Sequence, residues 1–201
     1  MKMITFATAA VLALSTPAFA KITTGTSVAD MTVVDSNGAS HNLSDFAGKR
    51  VVLEWTNEGC PYVKKHYNSN NMQDLQRDAT ADGAVWLAVI SSVPGKQGHK
   101  DNVQVVNWTA QHDVAATAVI LDEEGTLGHA FSARTTPHMY IIDEDQTLVY
   151  QGAIDDNSSS NPATIDGATN YVREALASLD AGEAVAVTDT QPYGCSVKYS
   201  R

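Results

Sequence analysis

The sequence predicts an α/β fold with a mixed, largely parallel central sheet flanked by helices on both faces. Short apolar, β-branched runs alternate along the chain with longer segments typical of helices. Two of these runs, Val51–Trp55 and residues 84–90, are mainly apolar, as expected for strands that are buried on both faces. Residues 139–142 and 147–151 flank a polar turn, a pattern typical of a β-hairpin.

The remaining segments are predicted from the same periodicities. They are early strand-like pieces at residues 31–34 and 41–43, a polar helix-tolerant stretch from Pro61 to about Thr80, a helix over residues 100–112, a strand over 118–122, a solvated loop over 155–161 and a final helix over 165–179.

The first 20 residues have the order of a secretory signal peptide. A basic start at Lys2 precedes an apolar run over residues 4–14, which is too short to span a bilayer. An Ala-x-Ala cleavage site follows at residues 18–20, so we expect the mature chain to begin at Lys21. An uncleaved membrane anchor is the alternative. The interpretation implies a periplasmic or secreted protein with no membrane span after cleavage.

Residues 21–201 suit a single domain with its own hydrophobic core, ending in an irregular tail from about residue 181. The chain has 23 acidic residues against 13 lysines and arginines, a net charge of −10. Such a surface repels phosphate backbones, so nucleic acid is not an expected partner. Two cysteines, Cys60 and Cys195, are too few for a disulfide-dense scaffold.

Cys60 lies where a predicted strand ends and a helix begins. Pro61 suits the first helical position because that position needs no N–H. A sulfur at a helix N-terminus faces unpaired N–H groups and the positive end of the helix dipole, which favour a thiolate. Lys64, Lys65 and His66 follow within two turns, and we expect the two lysines to point into water. A buried, unreactive cysteine is the alternative.

Residues 54–63 resemble the strand, turn and helix start that carry the redox motif of the thioredoxin superfamily, with Cys60 at its first cysteine. Thr136 and Pro137 resemble the threonine and cis-proline that face this cysteine. The resemblance implies a thioredoxin-like fold in which these two residues position a bound peptide or mixed disulfide. Val63 stands where a Cys-x-x-Cys pair would have its second cysteine, so that local dithiol is missing.

Three motifs, residues 59–64, 152–157 and 194–199, are similar to a peroxiredoxin-like branch of the superfamily, related to the thiol-specific antioxidant proteins, with a single active-site cysteine. Peroxiredoxins have Thr or Ser three residues before their peroxidatic cysteine, where this chain has Asn57. Relatives often have a cysteine shortly before the Thr-Pro element, where this chain has Arg134.

Cys195 is the one candidate disulfide partner for Cys60 in the sequence. The two residues could form a reversible redox pair, a permanent structural bond, or no bond at all. A bond would close a loop of about 135 residues and stabilise the fold by roughly 4 to 5 kcal/mol on the chain-entropy model. All three interpretations stay open because sequence does not fix the pairing geometry.

Glu54 stands where the thioredoxin resemblance implies a buried acid beneath the active site. Burial in an apolar strand should raise its pKa and would let it move a proton to or from sulfur, whereas an exposed or salt-bridged carboxylate would not. His138 is expected near Cys60, and a Cys/His pair would suit a soft metal such as copper. No His-x-x-x-His or Cys-x-x-x-Cys spacing accompanies it, so no metal site is predicted.

These observations predict an extracytoplasmic thiol-disulfide redox protein. Cys60 would be the nucleophile, Cys195 its disulfide partner and Glu54 a proton carrier, while Thr136 and Pro137 position the substrate. Expected partners are protein thiols or disulfides, small thiols, or peroxide, and the mechanism needs no dissociable cofactor. The alternatives are a non-catalytic binding or scaffold protein with a structural Cys60–Cys195 disulfide, and an atypical peroxidase.

Overall fold

The computed structural model describes residues 21–28 and 30–200. The predicted signal peptide, residues 1–20, lies outside the described residues. Within the described part of the chain, no helix is both long enough and apolar enough to cross a bilayer.

Strands and helices alternate along the chain as the sequence predicts. In chain order they are β1 (Thr32–Val34), β2 (Ser40–Asn42), β3 (Val51–Trp55), α1 (Pro61–Tyr67), α2 (Asn71–Ala81), β4 (Val85–Ile90), α3 (Asn102–Gln111), β5 (Ala118–Leu121), α4 (Thr126–Ala130), β6 (Thr135–Thr136), β7 (His138–Ile142), β8 (Leu148–Gly152), α5 (Tyr171–Asp180) and β9 (Cys195–Ser196). Short 3-10 helices cover Leu43–Phe46 and Pro162–Thr164.

The central sheet has five strands in the order β5-β4-β3-β7-β8. The pairs β3–β4 and β4–β5 are parallel, whereas the pairs β3–β7 and β7–β8 are antiparallel. The predicted mixed sheet is therefore confirmed, although it is evenly divided rather than largely parallel. The predicted hairpin supplies the antiparallel half, because β7 inserts beside β3 and carries β8 to the edge.

Two apolar layers cover the sheet, one on each face. Side chains from α1, α2, α3 and α5, including Val63, Trp108 and Val172, fill the first layer, which also contains Cys60. Leu127 of α4 and the N-terminal segment fill the second layer. Helices on both faces are as predicted, and the fold is thioredoxin-like.

The strand alternation of β3 decides which of its side chains can approach Cys60. Val52 belongs to the layer that contains Cys60, whereas Leu53 and Trp55 belong to the opposite layer. Because side chains alternate with a period of two, Glu54 shares the face of Val52. The acid therefore lies on the same side of the sheet as the cysteine.

Two helix boundaries differ from the sequence prediction. The stretch after Pro61 forms two helices, because Asn70 adopts a left-handed conformation with φ of +61° between α1 and α2. The last helix begins at Tyr171 rather than at residue 165. Its N-cap is Asn170, whose side chain accepts a hydrogen bond from the Arg173 N–H at 3.0 Å.

The C-terminal segment, residues 181–200, is called the tail below. It first passes along β8, where Thr190 N–H donates to Gln151 O at 3.0 Å and Thr190 Oγ1 accepts from Ala153 N–H at 2.8 Å. It then crosses to β6, and β9 pairs with β6 in antiparallel fashion so that Cys195 stands opposite Thr136. The end of the tail is thereby brought to the strand that precedes Pro137.

Candidate active site

Cys60 is the N-cap residue of α1, directly after the turn that follows β3. Its backbone N–H donates to Asn57 O at 2.9 Å and closes this turn. Pro61 occupies the first helical position. The strand-to-helix placement of Cys60 is therefore as predicted.

The Cys60 thiol is completely buried against the Thr-Pro element. In its protonated form it donates a hydrogen bond to the carbonyl oxygen of Thr136 at 3.1 Å. The peptide bond between Thr136 and Pro137 is cis. The structure thus brings together the three residues that the thioredoxin resemblance placed around one site.

Cys195 lies beside the same element, at the other end of the sequence. The pairing of β9 with β6 places it opposite Thr136, and its thiol is close enough to that of Cys60 for each thiol to shift the pKa of the other. Both cysteines are free thiols in this structure, and Cys195 is only half-buried. The arrangement therefore holds a second thiol against the first without a covalent bond.

The two thiols differ in their tendency to ionise. Burial raises the pKa of Cys60, but the hydrogen bonds from the Cys195 thiol, from two backbone N–H groups and from the Thr136 side chain outweigh it, so the pKa lies below the ordinary cysteine value. Burial, with the hydrogen bond to Cys60 and its charge, raises the pKa of Cys195 to about 11, an effect that Lys198 only partly offsets. Cys60 is the thiol that ionises first.

Gly194 permits the close approach of the tail to Thr136. Its φ is +139°, and a Cβ atom built on it would lie 2.0 Å from the Thr136 carbonyl oxygen. Any residue with a side chain at this position would therefore push the tail away from β6.

Glu54 is fully buried in the layer beneath Cys60. Its carboxylate accepts hydrogen bonds from Tyr67 Oη at 2.8 Å, Trp86 Nε1 at 2.9 Å and Gln76 Nε2 at 3.0 Å. Burial raises the pKa of Glu54, and these hydrogen bonds reduce the rise. The sequence indicated the buried acid, but it gave no sign of the three donors that hold it.

Asn57 stands where peroxiredoxins have a threonine or serine, and its amide faces the loop backbone. Its Oδ1 accepts from Gly59 N–H at 2.9 Å, and its Nδ2 donates to Gln97 O at 3.2 Å. Gly98 leaves room for this side chain, since a Cβ there would lie 2.5 Å from Asn57 Cγ. The side chain therefore braces the turn before Cys60.

The expectation that His138 lies near Cys60 is wrong. His138 packs against Tyr140, with ring centroids 4.5 Å apart, and Tyr140 belongs to the apolar layer on the other face of the sheet. The neighbouring Met139 is the residue that faces the layer of Cys60, because strand side chains alternate. Burial, with the charge of Arg134, lowers the pKa of His138 to about 3 and keeps it neutral.

A buried ion pair next to the site was missed from the sequence. Lys65 was expected in water and Asp155 in a solvated loop, but their side chains are 0% and 3% exposed and their charged atoms are 3.0 Å apart. Lys64, by contrast, is exposed as expected. The available signal was the position of Asp155 within the 152–157 motif that resembles relatives. The pairing of Lys65 with Asp155 could not be predicted from periodicity, because the two residues are far apart in the sequence.

Among residues 21–28 and 30–200, no group of three or more His, Cys, Asp or Glu side chains is arranged to hold a metal ion. His138 and Cys60, the pair considered from the sequence, lie on opposite faces of the sheet.

Comparison with known proteins supports the fold and places the site within a family. The model of the AhpC/TSA family matches residues 24–151, which include Cys60, Thr136 and Pro137 and end before Cys195. A relative from Haemophilus influenzae, described as an uncharacterized protein, is 26% identical over 137 residues, 68% of this chain and 82% of the relative.

Solved structures are similar over most of the chain. A hypothetical protein from Sinorhizobium meliloti 1021 has a TM-score of 0.76 at 22% identity, with coverage of 90% of this chain and 97% of that one. The thioredoxin domain of a thiol-disulfide oxidoreductase from Bacteroides vulgatus has a TM-score of 0.51 at 16% identity, with coverage of 73% and 98%. The chain belongs to the AhpC/TSA family, a peroxiredoxin-like group within the thioredoxin superfamily.

Proposed function

We propose that the protein is an extracytoplasmic thiol-disulfide oxidoreductase in which Cys60 is the nucleophile and Cys195 resolves the mixed disulfide. The observation that carries this proposal is that both cysteines meet at Thr136: Cys60 donates to its carbonyl oxygen at 3.1 Å, and the β6–β9 pairing sets Cys195 opposite it. A second thiol in this position replaces the local partner that Val63 cannot supply.

The first step is attack by the Cys60 thiolate on a partner disulfide. A new bond forms between Cys60 and one partner sulfur, the partner S–S bond breaks, and the other partner sulfur leaves as a thiolate. The lowered pKa of Cys60 favours the attacking form. Thr136 and Pro137 would lie beside the resulting mixed disulfide and position the partner chain.

The second step is attack by Cys195 on the Cys60 sulfur. The partner leaves as a thiolate, which takes the proton of Cys195, and the Cys60–Cys195 disulfide forms. Two of the causes that raise the pKa of Cys195 are the hydrogen bond to Cys60 and the charge of Cys60. Both are lost once Cys60 is in a mixed disulfide, so the second thiol becomes easier to ionise after the first step.

Glu54 would act on the proton balance of Cys60 from beneath the site. It is a buried acid with a raised pKa on the same side of the sheet as the cysteine. Such a group can keep its proton above the ordinary glutamate pKa and exchange it during a thiol reaction. Tyr67, Gln76 and Trp86 keep its carboxylate oriented.

We infer the extracytoplasmic compartment from the sequence of the first 20 residues and the thiol or disulfide substrates from the chemistry of the two cysteines. The signal-like order of residues 1–20 favours export, where protein disulfides persist. Substrates would be protein thiols and disulfides or small thiols, and electrons would come from another thiol protein. No dissociable cofactor takes part in the two steps.

The proposal is tested by trapping the intermediate. Cys195→Ser, incubated with an unfolded protein that contains disulfides, should accumulate a mixed disulfide at Cys60, because the second step is blocked. Wild type should release the substrate, and Cys60→Ser should form no adduct. Failure of Cys195→Ser to accumulate an adduct would contradict the proposed order of attack. A Cys60 sulfenic acid after mild peroxide treatment, without adduct formation, would favour the peroxidase alternative.

A further inference from the structure

One aromatic side chain of the tail lies against the helix that begins after Cys60. Tyr193 precedes Cys195 by two residues, and its ring contacts Tyr62 of α1 with centroids 5.8 Å apart. We propose that Tyr193 is the positioning residue that holds Cys195 against Cys60. Its hydroxyl group does so by hydrogen bonding to the buried ion pair of Lys65 and Asp155. The inference rests on the proposed resolving role of Cys195.

The ion pair of Lys65 and Asp155 is formed by residues outside the tail, so its main contacts do not depend on the tail. Lys65 Nζ donates to Asp155 Oδ2 at 3.0 Å and to Asn157 O at 2.9 Å. Asp155 Oδ1 also accepts from Asn157 N–H at 3.1 Å. A buried ion pair is stable only when its remaining hydrogen-bonding positions are used, and Tyr193 uses those that are left.

The Tyr193 hydroxyl makes every hydrogen bond that a phenol can make. It donates to Asp155 Oδ1, and it lies 3.4 Å from Lys65 Nζ and 3.3 Å from His66 Nε2, both of which can donate to it. His66 Nδ1 accepts from Asn71 Nδ2 at 2.8 Å, which leaves the proton on Nε2. Hydrogen bonds to charged groups are among the strongest in proteins.

The position of Tyr193 gives it direct control over Cys195. Only Gly194 separates them, and Gly194 is itself pressed against Thr136. Other side chains also anchor the tail. Upstream, Asp189 and Thr190 contact residues of β8, and downstream the Tyr199 hydroxyl donates to Ala133 O at 2.9 Å. Those anchors would keep the tail near the domain if Tyr193 were released.

Docking of Tyr193 therefore determines whether Cys60 is open to a partner disulfide or is held against Cys195. Cys60 is fully buried when the tail is docked, so a partner reaches it only when the tail moves. Return of Tyr193 to Lys65 and Asp155 then delivers Cys195 to the Cys60 sulfur. Cys195 attacks, the bond to the partner breaks, and the partner leaves as a thiolate.

The test compares Tyr193→Phe with Tyr171→Phe. Phenylalanine keeps the ring packing and removes only the hydroxyl, while Tyr171 is a half-buried tyrosine on α5 whose hydroxyl has no hydrogen-bond partner among the described residues. The first readout is the equilibrium of the Cys60–Cys195 disulfide with glutathione. Tyr193→Phe loses the hydrogen bonds of the hydroxyl group to the buried ion pair. Its disulfide should therefore be about tenfold easier to reduce, which corresponds to a shift of about 30 mV in the reduction potential.

The second readout is the rate at which iodoacetamide alkylates Cys60 in the reduced protein without denaturant. Tyr193→Phe should react about tenfold faster, since the undocked tail is more populated. Tyr171→Phe should match wild type in both readouts. Equal disulfide equilibria and equal alkylation rates in Tyr193→Phe and wild type would overturn the inference. So would a faster alkylation that is fully explained by a lower free energy of global unfolding, measured by urea denaturation.

The two proposals fail in different ways. If wild type forms no Cys60–Cys195 disulfide in the glutathione series, the proposed function fails, and the alkylation rates still decide whether Tyr193 docks the tail. If wild type forms the disulfide and Tyr193→Phe leaves its equilibrium unchanged, only the positioning role of Tyr193 fails.

Discussion

Cys195 stands opposite Thr136 in the pairing of β9 with β6, and the carbonyl oxygen of Thr136 accepts the hydrogen bond of Cys60 at 3.1 Å. Thr136 thus contacts both the Cys60 thiol and the strand that carries Cys195. Because this contact joins the tail to the cis-proline element, we expect displacement of the tail from β6 to separate the two cysteines and to uncover Cys60.

Gly194→Ala should displace the tail. The new Cβ would lie 2.0 Å from Thr136 O, in a backbone conformation that side chains rarely adopt. Overpacking of this kind costs about 1–3 kcal/mol, so alkylation of Cys60 should accelerate roughly ten- to a hundredfold while the domain stays folded. Gly167→Ala is the matched control, because that glycine is exposed and a Cβ there meets nothing within 4 Å. Equal alkylation rates in the two variants would show that β9 does not cover Cys60.

Lys65→Met should destabilise the domain strongly. Removal of the ammonium leaves Asp155 buried without its opposite charge, which typically costs about 3–5 kcal/mol in the free energy of unfolding. Urea denaturation followed by circular dichroism measures the loss. Lys64→Met changes the exposed neighbour and should stay within about 0.5 kcal/mol of wild type. Similar losses in both variants would mean that Lys65 is not buried.

Replacement of Cys195 should change the pKa of Cys60. The Cys195 thiol donates a hydrogen bond that favours the Cys60 thiolate. Cys195→Ala removes the donor, so the pKa of Cys60 should rise, whereas Cys195→Ser keeps a hydroxyl donor and should raise it less. The pH dependence of thiolate ultraviolet absorbance reports both values. The opposite order, with the alanine variant lower, would rule out this hydrogen bond as a cause.

Glu54 should make stability fall as the pH rises above the ordinary glutamate pKa. Burial raises the pKa of Glu54 in the folded protein above the value of 4.5 that it has in the unfolded chain. Between the unfolded and the folded pKa, the folded state keeps a proton that the unfolded state has lost. Stability decreases with pH wherever the folded state binds more protons. Compared with Glu54→Gln, wild type should therefore lose unfolding free energy over this window in urea titrations at several pH values. Parallel profiles would indicate that Glu54 is not buried as an acid.

Local pattern was sufficient to predict the part of the site that is contiguous in sequence. The run Val51–Trp55, followed by Cys60 and Pro61, places the cysteine at the start of a helix because a buried strand and a helix N-terminus each have local signatures. Resemblance to relatives added Thr136 and Pro137. The fold class followed from the alternation of strand-like and helix-like segments.

The rest depends on contacts between distant parts of the chain. Lys65 has the appearance of an exposed helix residue, and only Asp155, from a loop after β8, makes its burial favourable. His138 lies beside Pro137 in sequence, but the strand alternation turns it to the opposite face of the sheet from Cys60. Pairing of the tail with Thr135 and Thr136 leaves no periodic signal, because β9 is two residues long.

The reduction potential of the Cys60–Cys195 pair tests the central claim most directly. Purified mature protein is equilibrated in a glutathione series, alkylated, and analysed by mass spectrometry. A reversible redox pair predicts a disulfide that titrates above about −300 mV. A bond that stays closed well below that potential would contradict the redox role and favour a structural disulfide, and two thiols that never pair would contradict both.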